Sequence, residues 1–319
     1  MNHLRVENPT TFENLAIFPL IGANAGSERD YLLLDEAVQS NQLVVEEISA
    51  GGSVPQLKVT NASRFPVLIL DGEELVGAKQ NRILNLTVLV AANSTTVIPV
   101  SCVEAGRWSY SSRHFRPSPR VQYPSARAAK SAQVNWSLRS RGKPTSDQHA
   151  IWEDIAAKAE RLASPSRTGA MAAMFETHSS RLENYLRAFP VVDGQVGVIF
   201  ALRGKISGMD LFDHPDAFQK TWPKLLRGYA LDAIDPLAPA TGLQPSLLAA
   251  RRFLSLVEKA ERFEKKAVGL GTDIRLDSPS VVGGALAALG RTLHLYAFRR
   301  PPGYRRSGHE PVRSRRWLE

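Results

Sequence analysis

Apolar positions alternate with polar ones, or form short continuous runs, over the first hundred residues. Further along they recur at helical spacing. Runs at 15–21, 43–48, 55–60, 67–70, 83–90 and 96–100 predict strands, punctuated by turn residues at Asp71-Gly72, Gly77 and Asn93-Ser94. One short helix is predicted over 31–40. Strands joined so closely, with no helices between them, imply antiparallel pairing in a sandwich or partial barrel. The helical period takes over near Asp147 and predicts helices over 147–162, 168–188, 215–233 and 246–263. Arg203-Gly204 lies between two apolar runs, 196–202 and 205–211, which is a hairpin signal. Further strands are predicted at 267–276, 281–288 and 292–298. The expected fold class is α+β. An N-terminal antiparallel β-rich lobe (1–108) is followed by a mixed lobe of helices and β-hairpins (149–298).

Charge changes this picture at two places. The net charge of the 319 residues is +9, and the stretch 107–143 alone carries +9, with seven Arg, two Lys and no acidic residue. The stretch 299–319 adds +5, which leaves the rest of the chain at −5. The basicity is therefore local. The segment 109–148 is rich in Pro, Ser and Arg and reads as a long loop with one helical piece near 126–134. The segment 299–319 reads as a basic disordered tail. Trp108, Tyr110, His114, Phe115 and Tyr123 interleave with the arginines, a composition that suits a lid over a nucleotide pocket, single-stranded nucleic acid, or an ordinary anchored loop. Nucleic acid thus stays open as a partner. A single cysteine, Cys102, excludes an internal disulfide framework and suits a reducing compartment. With no signal-peptide pattern and no apolar run of about 18 residues, a membrane role is not expected and the cytoplasm is the expected location.

The chemistry concentrates between positions 68 and 108. Glu73, Glu74, Lys79, Gln80, Asn81, Arg82, Asn85, Cys102, Glu104 and Arg107 sit among strand-forming residues, where buried ions need partners. An Arg fork and a Lys point charge are what a phosphate or carboxylate site requires, and amides add directional contacts. Lys79, Gln80, Asn81, Arg82 and Arg107 are the candidate ligand-binding set. Glu104 and Glu73 are the candidate catalytic carboxylates, a pairing of the kind used in glycosidic cleavage. The alternative is a structural network in which Glu73 or Glu74 pairs with Lys79 or Arg82, and Glu104 pairs with Arg82 or Arg107. Cys102 has no neighbouring histidine to act as its base and reads as a packed core residue. The seven histidines show no metal-binding spacing, so no metal is expected and the sequence nominates no cofactor. Asp210, Asp213 and His214 are a weak cation alternative, and His294 reads as a satisfied strand histidine.

The blocks GEELVGAKQNRILN and IPVSCVEAGRW resemble a prokaryotic family, the ADP-ribosylglycohydrolase and rhodanese-phosphatase-superfamily-associated protein domain. The resemblance continues through QVGVIFALRGKISGMDLFD, WPKLLRGYALDAI and GRTLHLYAF. It spans about 10–298 and leaves the tail outside. It implies an association with ADP-ribose chemistry and with prokaryotic stress or conflict systems. Two functional expectations follow. In one, an intracellular protein binds a phosphorylated or nucleotide-like ligand, ADP-ribose-linked in one version, and hydrolyses or transfers it. In the other, the chain is a non-catalytic protein partner of such enzymes, or binds nucleic acid through its basic segments.

Overall fold

The computed structural model describes residues 4–22, 28–49, 51–236 and 245–304. Most of the tail, 305–319, and residues 237–244 between two predicted helices lie outside the described residues, as does the expectation that the tail is disordered. The architecture is α+β. Six strands close into a barrel in the order Ser94–Cys102, Gln56–Asn61, Leu43–Glu47, Phe115–Val121, Glu73–Gly77, Arg82–Leu84 and back to Ser94–Cys102. Its interior holds Leu43, Val45, Leu57, Val59, Leu75, Leu84, Ile98 and Phe115, the apolar half of each alternating run. A small three-stranded sheet, Val88–Val90, Val67–Ile69 and Leu32–Leu33, lies beside it.

The second body is a nine-stranded antiparallel sheet. Its centre is the hairpin of Gln195–Leu202 and Lys205–Phe212, extended by Arg291–Arg299, Val281–Ala288, Thr272–Asp277 and Arg262–Lys266. On the other side it is completed by Leu15–Ile21, with Arg5–Val6 and Thr10–Phe12. The N-terminal strands therefore do not belong to the β-rich lobe, as their position in sequence implied. Leu15–Ile21 pairs instead with Gln195–Leu202. Alternation sorts this sheet's residues onto two faces. Leu15, Ile17, Val198 and Phe200 face one core, while Ala16, Phe18, Ile199 and Ala201 face another. The first face is covered by helices Pro124–Arg141 and Pro215–Ile234. The second is covered by Leu247–Glu258 through Ala250, Phe253 and Val257.

Three further expectations change. The segment 109–148 is not a long loop: it supplies the barrel strand Phe115–Val121 and the 18-residue helix Pro124–Arg141. The stretch 168–188 forms two helices, Ala172–Thr177 and Ser179–Ala188, which meet at His178. The predicted helix over 246–263 stops at Glu258, and Arg262–Lys266 is an edge strand whose charged side chains discourage further pairing.

The helix Pro124–Arg141 looks solvated in sequence but is largely buried, because Arg127 and Lys130 join the barrel to the sheet through an ionic network. Arg127 donates from Nε to Asp71 at 3.0 Å and from Nη1 and Nη2 to Asp210 at 3.0 and 2.8 Å. Lys130 meets the other Asp71 oxygen at 3.0 Å. His294 Nε2 lies 3.2 Å from Asp210, and its Nδ1 lies 2.9 Å from the Thr87 hydroxyl. His294 is thus a satisfied strand histidine. Asp210, Asp213 and His214 separate: Asp213 pairs with Arg291, and His214 caps helix Pro215–Ile234 by accepting from the Asp216 N–H.

Burial alone would raise the Asp210 carboxyl, but the Arg127 guanidinium and His294 outweigh it and hold it at about 2, against an ordinary 3.8. Asp210 binds its proton more weakly in the folded than in the unfolded chain. Its stabilisation is therefore complete above about pH 4 and lost as the pH falls toward 2, on the order of 2 kcal/mol. Urea unfolding between pH 5 and pH 2.5 should show this loss in the natural chain and a flatter profile in Asp210→Asn. Identical profiles would refute the assignment.

Candidate functional site

Most of the predicted polar cluster gathers at one end of the barrel. The chain turns at 78–80 before entering Arg82–Leu84, which leaves Lys79 partly exposed and draws Arg82 fully inside. Arg107 fastens this turn. Its Nη1 donates to the Ala78 carbonyl at 2.7 Å, and its Nη2 to Asn81 Oδ1 at 3.1 Å and Glu104 Oε2 at 2.6 Å. Glu104 also accepts from the Asn81 N–H at 3.1 Å and the Thr168 hydroxyl at 2.9 Å. Burial would raise the Glu104 carboxyl, but hydrogen bonds from Arg107, Asn81 and Thr168 outweigh it and hold it below the ordinary range. Glu104 is an ionised clasp with its oxygens occupied, which suits positioning better than proton donation. Gln80 links the clasp to Arg82: its Nε2 donates to the Glu104 carbonyl at 3.0 Å, and its Oε1 accepts from Arg82 Nη1 at 2.9 Å.

Glu73 does not join this cluster. Its carboxylate accepts from Lys224 at 2.6 Å and from the Leu70 N–H at 3.1 Å, and Lys224 also pairs with Asp35. Glu74 accepts from Arg120 Nε at 2.6 Å and the Ser118 hydroxyl at 2.7 Å. Neither carboxylate neutralises Lys79 or Arg82. Glu73 and Glu104 share no partner, so the expected acid–base pair is not assembled. The reason lies in tertiary packing: helix Pro215–Ile234 brings Lys224 to Glu73 from 151 residues away. Cys102 is buried. Its thiol is pushed up by burial, offset in part by the Glu104 backbone, the Arg82 charge and the Trp152 indole.

The outer side of the cluster carries its exposed aromatics. Trp108 and Tyr110 are 48% and 53% exposed, and the Lys79 ammonium lies 5.2 Å from the centre of each ring. The Arg82 guanidinium lies 5.7 Å from the Trp108 ring. Tyr110 also borders a groove of about 750 Å³ lined by Glu46, Glu47, Ser49, Lys58, Ser111, Ser112 and Arg113. Two residues of this region escaped the sequence reading. Glu47, at the end of strand Leu43–Glu47, places both carboxylate oxygens in the interior without a hydrogen-bond partner. Trp152, on helix Gln148–Arg161, turns its indole toward the Cys102 thiol. The only local signal for Glu47 is its place in an otherwise apolar alternation, where a second glutamate at position 46 hides it.

Comparison with protein-family models matches residues 3–298 to ARPP-1, described as the ARG and Rhodanese-Phosphatase-superfamily-associated Protein domain. The chain belongs to this family. The match spans the barrel, the nine-stranded sheet and every helix described, and it ends within the strand Arg291–Arg299. The family's name records an association with ARG and rhodanese-phosphatase-superfamily proteins. No curated protein and no solved structure matches the chain significantly. Among the described residues, no helix is long and apolar enough to cross a membrane, and no group of three or more His, Cys, Asp or Glu is arranged to hold a metal ion.

Proposed function

We propose that the barrel end of this chain binds a phosphorylated, nucleotide-like ligand. The observation that carries the reading is the pairing of exposed aromatic rings with cations, Trp108 and Tyr110 with Lys79 between them and Arg82 behind. An exposed indole and phenol offer a π-face to a base, and a nearby ammonium offers a point charge to a phosphate. Lys58, Arg113 and the hydroxyls of Ser111 and Ser112 continue this chemistry along the groove. The association recorded in the family name makes ADP-ribose-type compounds natural members of the ligand class, and ADP-ribose-handling enzymes natural protein partners. The reading is of binding rather than turnover. Glu104 is committed to Arg107 and Thr168, Glu73 to Lys224, and Cys102 is buried with a raised thiol.

Thermal-shift and calorimetric titration with NAD, ADP-ribose, nucleoside diphosphates and sugar phosphates tests it. A ligand at about 100 times its dissociation constant stabilises the fold by roughly 2.7 kcal/mol. The shift should appear in the natural chain and fall away in Trp108→Ala and Lys79→Ala, whose side chains are exposed enough for the fold to survive their loss. A panel with no shift, or a shift indifferent to both variants, would remove the proposal.

A further inference from the structure

The basic stretch 107–143 divides in the fold. Arg107, Arg120, Arg127 and Lys130 are spent on carboxylates. Arg139, Arg141 and Lys143, at the C-terminal end of helix Pro124–Arg141 and just past it, are exposed. Among the described residues only Arg139 of these three reaches an acid, Asp277 at 3.5 Å, which Arg300 also engages. Aromatic rings accompany these cations. The Arg139 guanidinium lies 4.2 Å from the centre of the Phe263 ring on edge strand Arg262–Lys266, and that of Arg141 lies 4.8 Å from the Trp136 ring. Trp136, Arg139 and Ser140 are spaced by three and four and so share one side of the helix. Lys265, exposed, alternates onto the same face of its strand as Phe263, while Glu264 alternates onto the other. The chain also leaves the described region here. Tyr304 accepts from Gln133 Nε2 at 3.3 Å, one turn before Trp136, and the sequence that follows, 305–319, adds five Arg against two Glu.

Cations at a helix C-terminus are favoured by the carbonyls they face, which accounts for part of this charge. It does not account for a second element bringing a ring and a lysine to the same surface. Exposed cations interleaved with rings suit an anionic polymer that carries planar groups. Arginine outnumbers lysine among them, and its planar fork grips a phosphate with two donors. An acidic peptide or a lipid headgroup would meet the charges and leave Trp136 and Phe263 without a stacking partner. We propose that the C-terminal end of helix Pro124–Arg141 and edge strand Arg262–Lys266 form a surface for single-stranded nucleic acid. Arg139, Arg141, Lys143 and Lys265 contact its phosphates, and Trp136 and Phe263 contact its bases. The surface shares no residue with the barrel-end nucleotide site and does not rest on that reading.

The experiment follows the fluorescence anisotropy of labelled oligo(U) and oligo(dT), each about 15 nucleotides long, titrated with the full-length protein between roughly 50 and 200 mM salt. Binding of either oligomer should weaken steeply with salt. The double variant Arg141→Gln, Lys143→Gln removes two phosphate contacts. It should reduce the slope of log affinity against log salt by about 1.4, since each contact to a single strand contributes about 0.7. Trp136→Leu should weaken binding roughly fivefold or more and leave that slope unchanged, as lost stacking requires. Lys79→Ala and Arg116→Gln should bind as the natural chain does. Absence of binding, or a slope that the double variant does not change, overturns the proposal. So does a poly-glutamate that competes as well as the oligomers. Loss of binding in Lys79→Ala would move the polymer to the barrel end and overturn this surface. Should Trp136→Leu fail to fold, the double variant, whose two side chains are exposed, decides the matter alone.

Discussion

Replacing Arg127 with Met should lower the unfolding free energy by roughly 3–5 kcal/mol, the range found when one partner of a buried ion pair is removed. In a chain of this size that corresponds to a fall in Tm of roughly 4–8 °C. The side chain makes three hydrogen bonds to two carboxylates that are themselves fully buried. It also lies 4.9 Å from the Phe298 ring and 5.3 Å from the Tyr296 ring, so methionine restores some packing but none of the charge. Asp71 would keep Lys130, and Asp210 would keep Tyr229 and His294, which sets the upper bound on the loss. Arg116, exposed on a barrel strand, is the matched control, and Arg116→Met should stay within about 0.5 kcal/mol of the natural chain. Equal urea midpoints for the two variants would show that the network does not hold the barrel to the sheet.

Gly283→Ala should cost about 3 kcal/mol, at the upper end for forcing a methyl group into a filled core. Its strand, Val281–Ala288, pairs with Arg291–Arg299, and Gly283 sits opposite Ala297. A β-carbon there would stand 2.1 Å from the Tyr296 carbonyl oxygen and 2.8 Å from the Ala297 α-carbon. Both obstacles are backbone, and no rotamer relieves them. The sheet cannot bow away either, because helices pack on both of its faces. Gly142 gives the useful contrast. At the C-terminus of helix Pro124–Arg141 it has φ of 68° and open space around it, so Gly142→Ala should cost only about 1 kcal/mol through its backbone conformation. Thermal melts of the two variants should rank Gly283→Ala well below Gly142→Ala. The reverse order would mean that the strands separate at little cost.

The elements that read correctly from the sequence are those whose determinants are local. The hairpin at Arg203-Gly204 follows from a turn dipeptide between two alternating runs, and strand Val281–Ala288 matches its predicted bounds. Helix Pro215–Ile234 follows from a 3.6-residue apolar period behind a proline at its start. The segment 109–148 misread because Arg, Ser and Pro usually mean solvent. Here Arg127 and Lys130 are buried by carboxylates from elements 56 and 83 residues away, and Pro117 and Pro119 sit in a barrel strand whose register shifts between Pro117 and Val121.

The candidate site divides the same way. Lys79, Gln80, Asn81, Arg82, Glu104 and Arg107 stand out because their residue types are costly inside a strand-rich core, and the fold does bring them together. Which carboxylates are spent on which cations was legible only in part. The Glu104–Arg107 pair, three residues apart, was one of the alternatives the sequence offered, whereas the capture of Glu73 by Lys224 and of Glu74 by Arg120 depends on where the chain returns in space. Sequence by itself determined the alternation, the turns and the chemical inventory, since these follow from backbone geometry and transfer cost residue by residue. Tertiary structure alone decided the pairing of Leu15–Ile21 with a strand some 180 residues later, the burial of Arg127, and the full burial of Arg82. A hydrogen bond or ion pair is a property of two positions, and its partner is chosen by packing rather than by neighbours along the chain.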